Sequence, residues 1–228
     1  MKTCLSILPL AYGGWRALGK AGCVIMLTAL PAVAEPPEVV MLGDSLTQGY
    51  GLAPEEGLVP ALQRWLDTHD IEAHLVNAGV SGDTTAGGRA RLDWSLRPET
   101  DAVVVELGGN DMLRGLSPAE ARANLEAILQ ALAARALPVL LVGTPAPANF
   151  GPEYQAAFTA LWPDLAARYD AVLIENLLAP IMAEPFEARE AKGLMQADGL
   201  HPAPAGVALV VEQLGPKVIE LLARAEAG

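Results

Sequence analysis

Five short runs rich in Val, Leu, Ile and Ala, at residues 38–42, 73–77, 102–107, 138–142 and 171–174, alternate with longer stretches whose apolar residues recur at helical spacing. Few folds accept such an order. Consecutive strands separated by helices cannot close as hairpins, so they lie parallel with the helices packed over the sheet. The helical stretches are 58–67, 85–94, 118–136, 154–169 and 204–225. The expectation is one doubly wound, three-layer α/β/α domain with a mostly parallel five-stranded sheet of flavodoxin-like type. No internal repeat or long linker divides it. The stretch from 118 carries its own start signal, with Ser117 as cap, Pro118 at the first helical position and Glu120 completing an S-x-x-E box. Its apolar face is Leu125, Ile128, Leu129 and Leu132, and Pro138 stops it.

The first 34 residues differ in kind from the rest. Lys2, Arg16 and Lys20 occur without an acid, an apolar stretch follows, and Ala32-Val33-Ala34 closes it. That order reads as an export signal cut after Ala34, leaving residues 35–228 as the domain and a periplasmic or secreted location. The apolar stretch is short of the roughly 20 residues that a membrane span needs. Cys23 does not read as a lipid anchor, because the apolar core follows it and Lys20-Ala21-Gly22 precedes it. Both cysteines, Cys4 and Cys23, fall in the leader, so the domain has no disulfide and relies on core burial. All 27 acids but only 12 of the 15 bases lie beyond residue 34, a formal charge of −15. Nucleic acid is thereby excluded as a partner, since phosphate binding needs a basic surface.

In an open parallel sheet, ligands bind beyond the carboxyl ends of the strands. The segments that follow the first four runs are GDSLTQGYG, VSGDTT, GGNDMLRG and GTPAPANFG. Each alone is ordinary turn chemistry. Four on one edge, with Asp198-Gly199-Leu200-His201-Pro202 near the end of the chain, point instead to a site. Ser45, His201 and Asp198 supply the nucleophile, base and orienting carboxylate of serine catalysis. His69 and His74 read as solvated or packed residues, whereas His201 has a carboxylate in its own short loop. Neither H-x-x-x-H nor H-E-x-x-H occurs, a phosphate-binding loop is missing, and Gly43-Asp44-Ser45-Leu46-Thr47 lacks the second glycine of G-x-S-x-G. No metal or other cofactor is expected.

The stretches VMLGDSLTQGYG, LVNAGVSGDTTAGGRARL, VVVELGGNDMLRG, PANFGPEY and DGLHP resemble, in order, the blocks of the SGNH or GDSL hydrolase family. Within it the chain is similar to the secreted acyl-esterase branch typified by bacterial thioesterase I, also called lysophospholipase L1, and by arylesterases. The resemblance covers residues 40–202. It implies a nucleophile at Ser45, oxyanion donors in the backbone N–H groups of Ser45 and Gly82 and the side chain of Asn110, and an Asp198–His201 pair. It also implies a monomeric, cofactor-independent enzyme taking acyl esters, thioesters or lysophospholipids, with no stable membrane anchor. The same catalytic set serves carbohydrate O-deacetylases, which is the alternative. A non-catalytic envelope binding module is the remaining one, and it predicts a degraded set. Asp44 and Asp111 are expected to hold their loops, Asp83 and Thr84 to cap the helix after the second strand, and Arg89 and Arg91 to form a solvated or ion-paired face. Trp65, Trp94 and Trp162 are expected in packing. In the segment after the fourth strand, Ala146 and Phe150 are the candidate contacts for the acyl chain.

Overall fold

The computed structural model describes residues 35–227. The proposed export signal lies outside the described residues. Five parallel strands, β1 (Glu38–Gly43), β2 (His74–Gly79), β3 (Thr100–Glu106), β4 (Val139–Val142) and β5 (Val172–Ile174), form one sheet in the order β2-β1-β3-β4-β5. The doubly wound α/β expectation is met.

Side-chain alternation along the strands builds the two outer layers. Val39 and Met41 of β1, Ala102 and Val104 of β3, and Leu140 and Val142 of β4 face one way, onto helices Leu58–Thr68 and Pro204–Glu226. Val40 and Leu42, Val103 and Val105, and Val139 and Leu141 face the other, onto helices Pro118–Ala133 and Leu161–Tyr169. Because both faces are covered, these strands read as continuous apolar runs.

Two expected helices are broken. The stretch from 85 divides into Thr85–Ala90 and Leu92–Ser95, with Arg91 turned out of helical geometry between them (φ −108°, ψ 6°). The stretch from 154 begins at Pro152 and divides into Pro152–Thr159 and Leu161–Tyr169. Pro163 lacks the N–H that would bond the Thr159 carbonyl, so the ladder is interrupted there. Helix Pro118–Ala133 stops short of 136, where Ala136 turns left-handed (φ 55°). Ser117 occupies the cap position, but its hydroxyl caps nothing; the Glu120 N–H donates to the Ser117 carbonyl (3.0 Å). The tryptophans part company: Trp162 is fully buried, Trp65 packs at the core edge, and Trp94 is exposed. Among the described residues, no helix is long and apolar enough to cross a membrane.

Candidate active site

The end of β1 turns directly into a one-turn helix, Ser45–Gln48, so Ser45 stands at the carboxyl edge of a central strand. Asp44 caps it, its Oδ1 accepting from the Leu46 N–H (3.0 Å). The turn is tight because two glycines leave room. A β-carbon on Gly43 would overlap the Thr47 hydroxyl, and one on Gly79, at the end of β2, would overlap the Gln48 backbone. Arg91 fastens the same corner. Its guanidinium donates to the carbonyls of Gly43 (2.9 Å) and Ala78 (2.7 Å) and pairs with Asp83 (2.6 Å). Thus Arg91 is ion-paired as expected, but it is a half-buried strut between the ends of β1 and β2 and not part of a solvated face. Thr84 caps the following helix through its hydroxyl, as expected, whereas Asp83 serves Arg91 instead.

The His201 ring reaches Ser45 from the other end of the chain. His201 Nε2 lies 2.8 Å from Ser45 Oγ, and Nδ1 lies 2.6 Å from Asp198 Oδ2. A backbone bridge between Met195 and Pro202 closes the loop that carries the pair. Asp198 Oδ1 also accepts from the N–H groups of Leu200 (2.9 Å) and His201 (3.0 Å). These bonds, first that from the His201 N–H and then that from its ring, hold the Asp198 carboxyl down at about 2. Asp198 is therefore ionised at neutral pH.

Gly82, with φ +82°, and Asn110, at the second position of helix Gly109–Leu113, line the same cleft as Ser45, Asp198 and His201. One Asn110 amide proton is directed at Asp44 Oδ2 (3.1 Å). The other has no partner among the described residues. Asp111 is a buried brace, accepting from the Thr85 N–H (2.7 Å) and hydroxyl (2.6 Å). Asp44 and Asp111 thus both hold loops, as expected.

Beneath this layer lies Glu106, the last residue of β3 and fully buried, whose Oε2 accepts from the Thr47 hydroxyl (2.8 Å) and faces the Asp44 N–H (3.3 Å). Burial, and then the neighbouring Asp44 charge, push its carboxyl well above the usual range. Burial raises Asp44 as well, against the bonds from Leu46 and Asn110 that lower it. Of the two, Glu106 is raised the further.

The cleft has a volume of about 380 Å³, with Leu46, Met112, Leu113, Leu178 and Leu200 as its apolar lining. Tyr50 tilts over His201, with ring centroids 4.8 Å apart. Ala146 and Phe150 do not line it. The Thr144 carbonyl is fixed by the Trp162 indole N–H (3.2 Å), and the chain beyond it turns inward, leaving Ala146 buried in the core and Phe150 stacked on Tyr154 (5.3 Å). Composition marked that segment as unusual but gave no direction for its side chains. Glu106, Tyr50 and Gln196 carry roles here that the sequence did not assign; only Glu106, a carboxylate ending the run Val103-Val104-Val105, carried a local signal. Among the described residues, no group of three His, Cys, Asp or Glu side chains gathers to hold a metal.

A doubly wound α/β domain carrying this site is a serine ester hydrolase. The chain belongs to the GDSL-like lipase/acylhydrolase family, whose model matches residues 41–209. It is 38% identical over 208 residues to the esterase TesA of Pseudomonas aeruginosa, covering 91% of this chain and all of that one. To the thioesterase 1/protease 1/lysophospholipase L1 of Escherichia coli K12 it is 37% identical over 180 residues, or 78% and 81% of the two chains. The crystal structure of a psychrotrophic esterase EstA from Pseudoalteromonas, inhibited by monoethylphosphonate, superposes with a TM-score of 0.73 at 32% identity, covering 81% of this chain and 98% of that one.

Proposed function

We propose that the enzyme hydrolyses acyl esters and thioesters through an acyl-enzyme on Ser45. The observation that carries this reading is the unbroken hydrogen-bonded line Ser45 Oγ, His201 Nε2, His201 Nδ1, Asp198 Oδ2 at 2.8 and 2.6 Å. His201 takes the hydroxyl proton as Ser45 attacks the carbonyl, and returns it to the departing alcohol or thiol. Asp198, ionised, fixes the proton on Nδ1 and stabilises the imidazolium. The carbonyl oxygen gains charge against the Ser45 and Gly82 N–H groups and the free Asn110 amide proton, donors that bind the transition state better than the ground state. The first turn of a helix leaves its N–H groups without intrahelical partners, which suits Ser45 to that role. Water, deprotonated by His201, then releases the acid. No cofactor enters any step.

The open, apolar cleft favours acyl chains over acetylated sugars, because its wall offers Leu and Met where a sugar ring needs hydrogen-bond partners. Esters, thioesters and lysophospholipids are the substrate class, and the enzyme acts as an exported monomer released from its leader after Ala34. The inhibition of the Pseudoalteromonas esterase by a phosphonate supports a serine nucleophile here, since phosphonates are a means of trapping activated serines.

The test is hydrolysis of p-nitrophenyl esters from acetyl to palmitoyl by the protein and its Ser45→Ala variant, with fluorophosphonate labelling beside it. Turnover and labelling lost together support the acyl-enzyme. A folded protein that turns over only acetylated glycans would shift the reading to a deacetylase.

A further inference from the structure

Beside Ser45 and His201 the structure holds a second, smaller cavity of about 20 Å³. Its wall is almost wholly apolar, built from Leu52, Leu58, Leu177, Val207 and Val210. It shares Ser45, Leu46, Tyr50, Leu178 and His201 with the open cleft, but neither Gly82 nor Asn110 borders it. We propose that this recess is a leaving-group subsite that receives the first carbons of a short, unbranched alkyl alcohol. The inference rests on the roles given above to Ser45 and His201.

The stereochemistry of the tetrahedral intermediate assigns the side. Its charged oxygen must face Gly82 and Asn110, and its leaving oxygen must lie against His201 Nε2 to receive the proton. A cavity that borders the imidazole and Ser45 but neither Gly82 nor Asn110 lies on the side of the leaving group. The acyl chain is left the larger cleft, where those donors are found.

The chemistry of the wall narrows the alcohol. Gln196 is the one amide on it, and its Nε2 is already committed to the carbonyls of Tyr50 (2.8 Å) and Pro202 (3.0 Å). Its Oε1 packs against Gly51. A hydroxyl seated inside the recess would be buried with few partners, a loss that an alkyl group does not suffer, and a glycerol or thiol leaving group too large for it stays in the open cleft. Size limits it further. A water-sized sphere needs about 10–15 Å³ of such space, so the recess takes roughly one or two carbons.

The experiment measures kcat/KM, which reports the acylation step in which the alcohol leaves, for butyrate esters of methanol, ethanol, 1-propanol, 1-butanol and ethylene glycol. Filling the recess should raise the rate about fourfold per methylene and then level off within roughly two carbons. The ethylene glycol ester should fall below the ethyl ester. Val207 stands in the first turn of helix Pro204–Glu226 with its side chain buried. Val207→Ala should move the plateau out by about one carbon, and Val207→Leu should draw it back, while a series of methyl esters differing in acyl length keeps its profile in both variants. The paired substitutions separate a filled pocket from a damaged fold, because simple destabilisation lowers every ester alike. A flat alcohol profile in the active, fluorophosphonate-labelled protein, or variants that reshape the acyl profile instead, would overturn the subsite and leave the esterase standing. A folded protein that neither labels nor hydrolyses any ester would overturn the serine-esterase reading itself.

Discussion

Replacing Asp44 by asparagine isolates the coupling between the cap of the proposed nucleophile and the side chain proposed to bind the oxyanion. An asparagine oxygen still accepts from the Leu46 N–H, so the cap on helix Ser45–Gln48 survives. What is lost is the carboxylate oxygen that receives the Asn110 amide at 3.1 Å. An amide N–H₂ now faces another, and Asn110 must rotate away. A hydrogen bond contributes about 0.5–1.5 kcal/mol, and about 1.5–3 kcal/mol where one partner is charged, so the substitution should slow the reaction by roughly 2- to 150-fold. Removing the donor outright by Asn110→Ala should cost on the order of 10²- to 10³-fold. If Asp44 acts by orienting Asn110, the double variant is only slightly worse than Asn110→Ala, since nothing remains to orient. Independent action would instead multiply the two losses. The assay is kcat and KM on one p-nitrophenyl ester for the four proteins of the cycle, with thermal melts to confirm folding. Multiplicative losses, or an Asp44→Asn enzyme as fast as the parent, would refute the reasoning.

Glu106→Gln should change stability in a pH-dependent way. The Glu106 carboxyl is raised in the fold, so the folded state holds its proton more tightly than the unfolded chain, and stability falls as pH rises from the unfolded value toward the folded one. The glutamine variant lacks that loss, and its Tm relative to the parent should climb with pH in melts from acid to alkaline buffer; a constant difference would argue against a protonated Glu106. Asp198 behaves oppositely. Its lowered carboxyl stabilises the fold fully above the unfolded value near 3.9, and this is lost as pH falls toward about 2. Asp198→Asn should lower kcat on the order of 10⁴-fold at neutral pH while fluorophosphonate labelling slows in parallel; an unchanged labelling rate would remove Asp198 from the mechanism. Gly79→Ala forces a methyl into the Gln48 backbone and should cost about 1–3 kcal/mol in urea unfolding together with activity; a neutral result would show the corner to be pliable.

The sheet was legible because its strands are buried on both faces and so appear as continuous apolar runs, as Val103-Val104-Val105 does. The breaks at Arg91 and Ala160 were not. A helical stretch interrupted by one residue keeps its apolar spacing, and only Pro163 hinted at the second break. At the site, Ser45, Gly82, Asn110, Asp198 and His201 could be named from their blocks, and the structure brings all five to one cleft. The strut role of Arg91 and the part played by Gln196 could not. Their partners are main-chain carbonyls of Gly43, Ala78, Tyr50 and Pro202, and a carbonyl leaves no mark in a sequence. Ala146 and Phe150 do not line that cleft, and the composition of their segment carried no direction for its side chains.

The pair Asp198–His201 lies three residues apart, whereas His201 and Ser45 are 156 positions apart. Asp198 and His201 thus come together as a local matter of one short loop, whereas His201 meets Ser45 only across the fold, in which helix Pro204–Glu226 packs on helix Leu58–Thr68. A chain that ends before Asp198 therefore carries Ser45 without the carboxylate and imidazole that it meets in the fold.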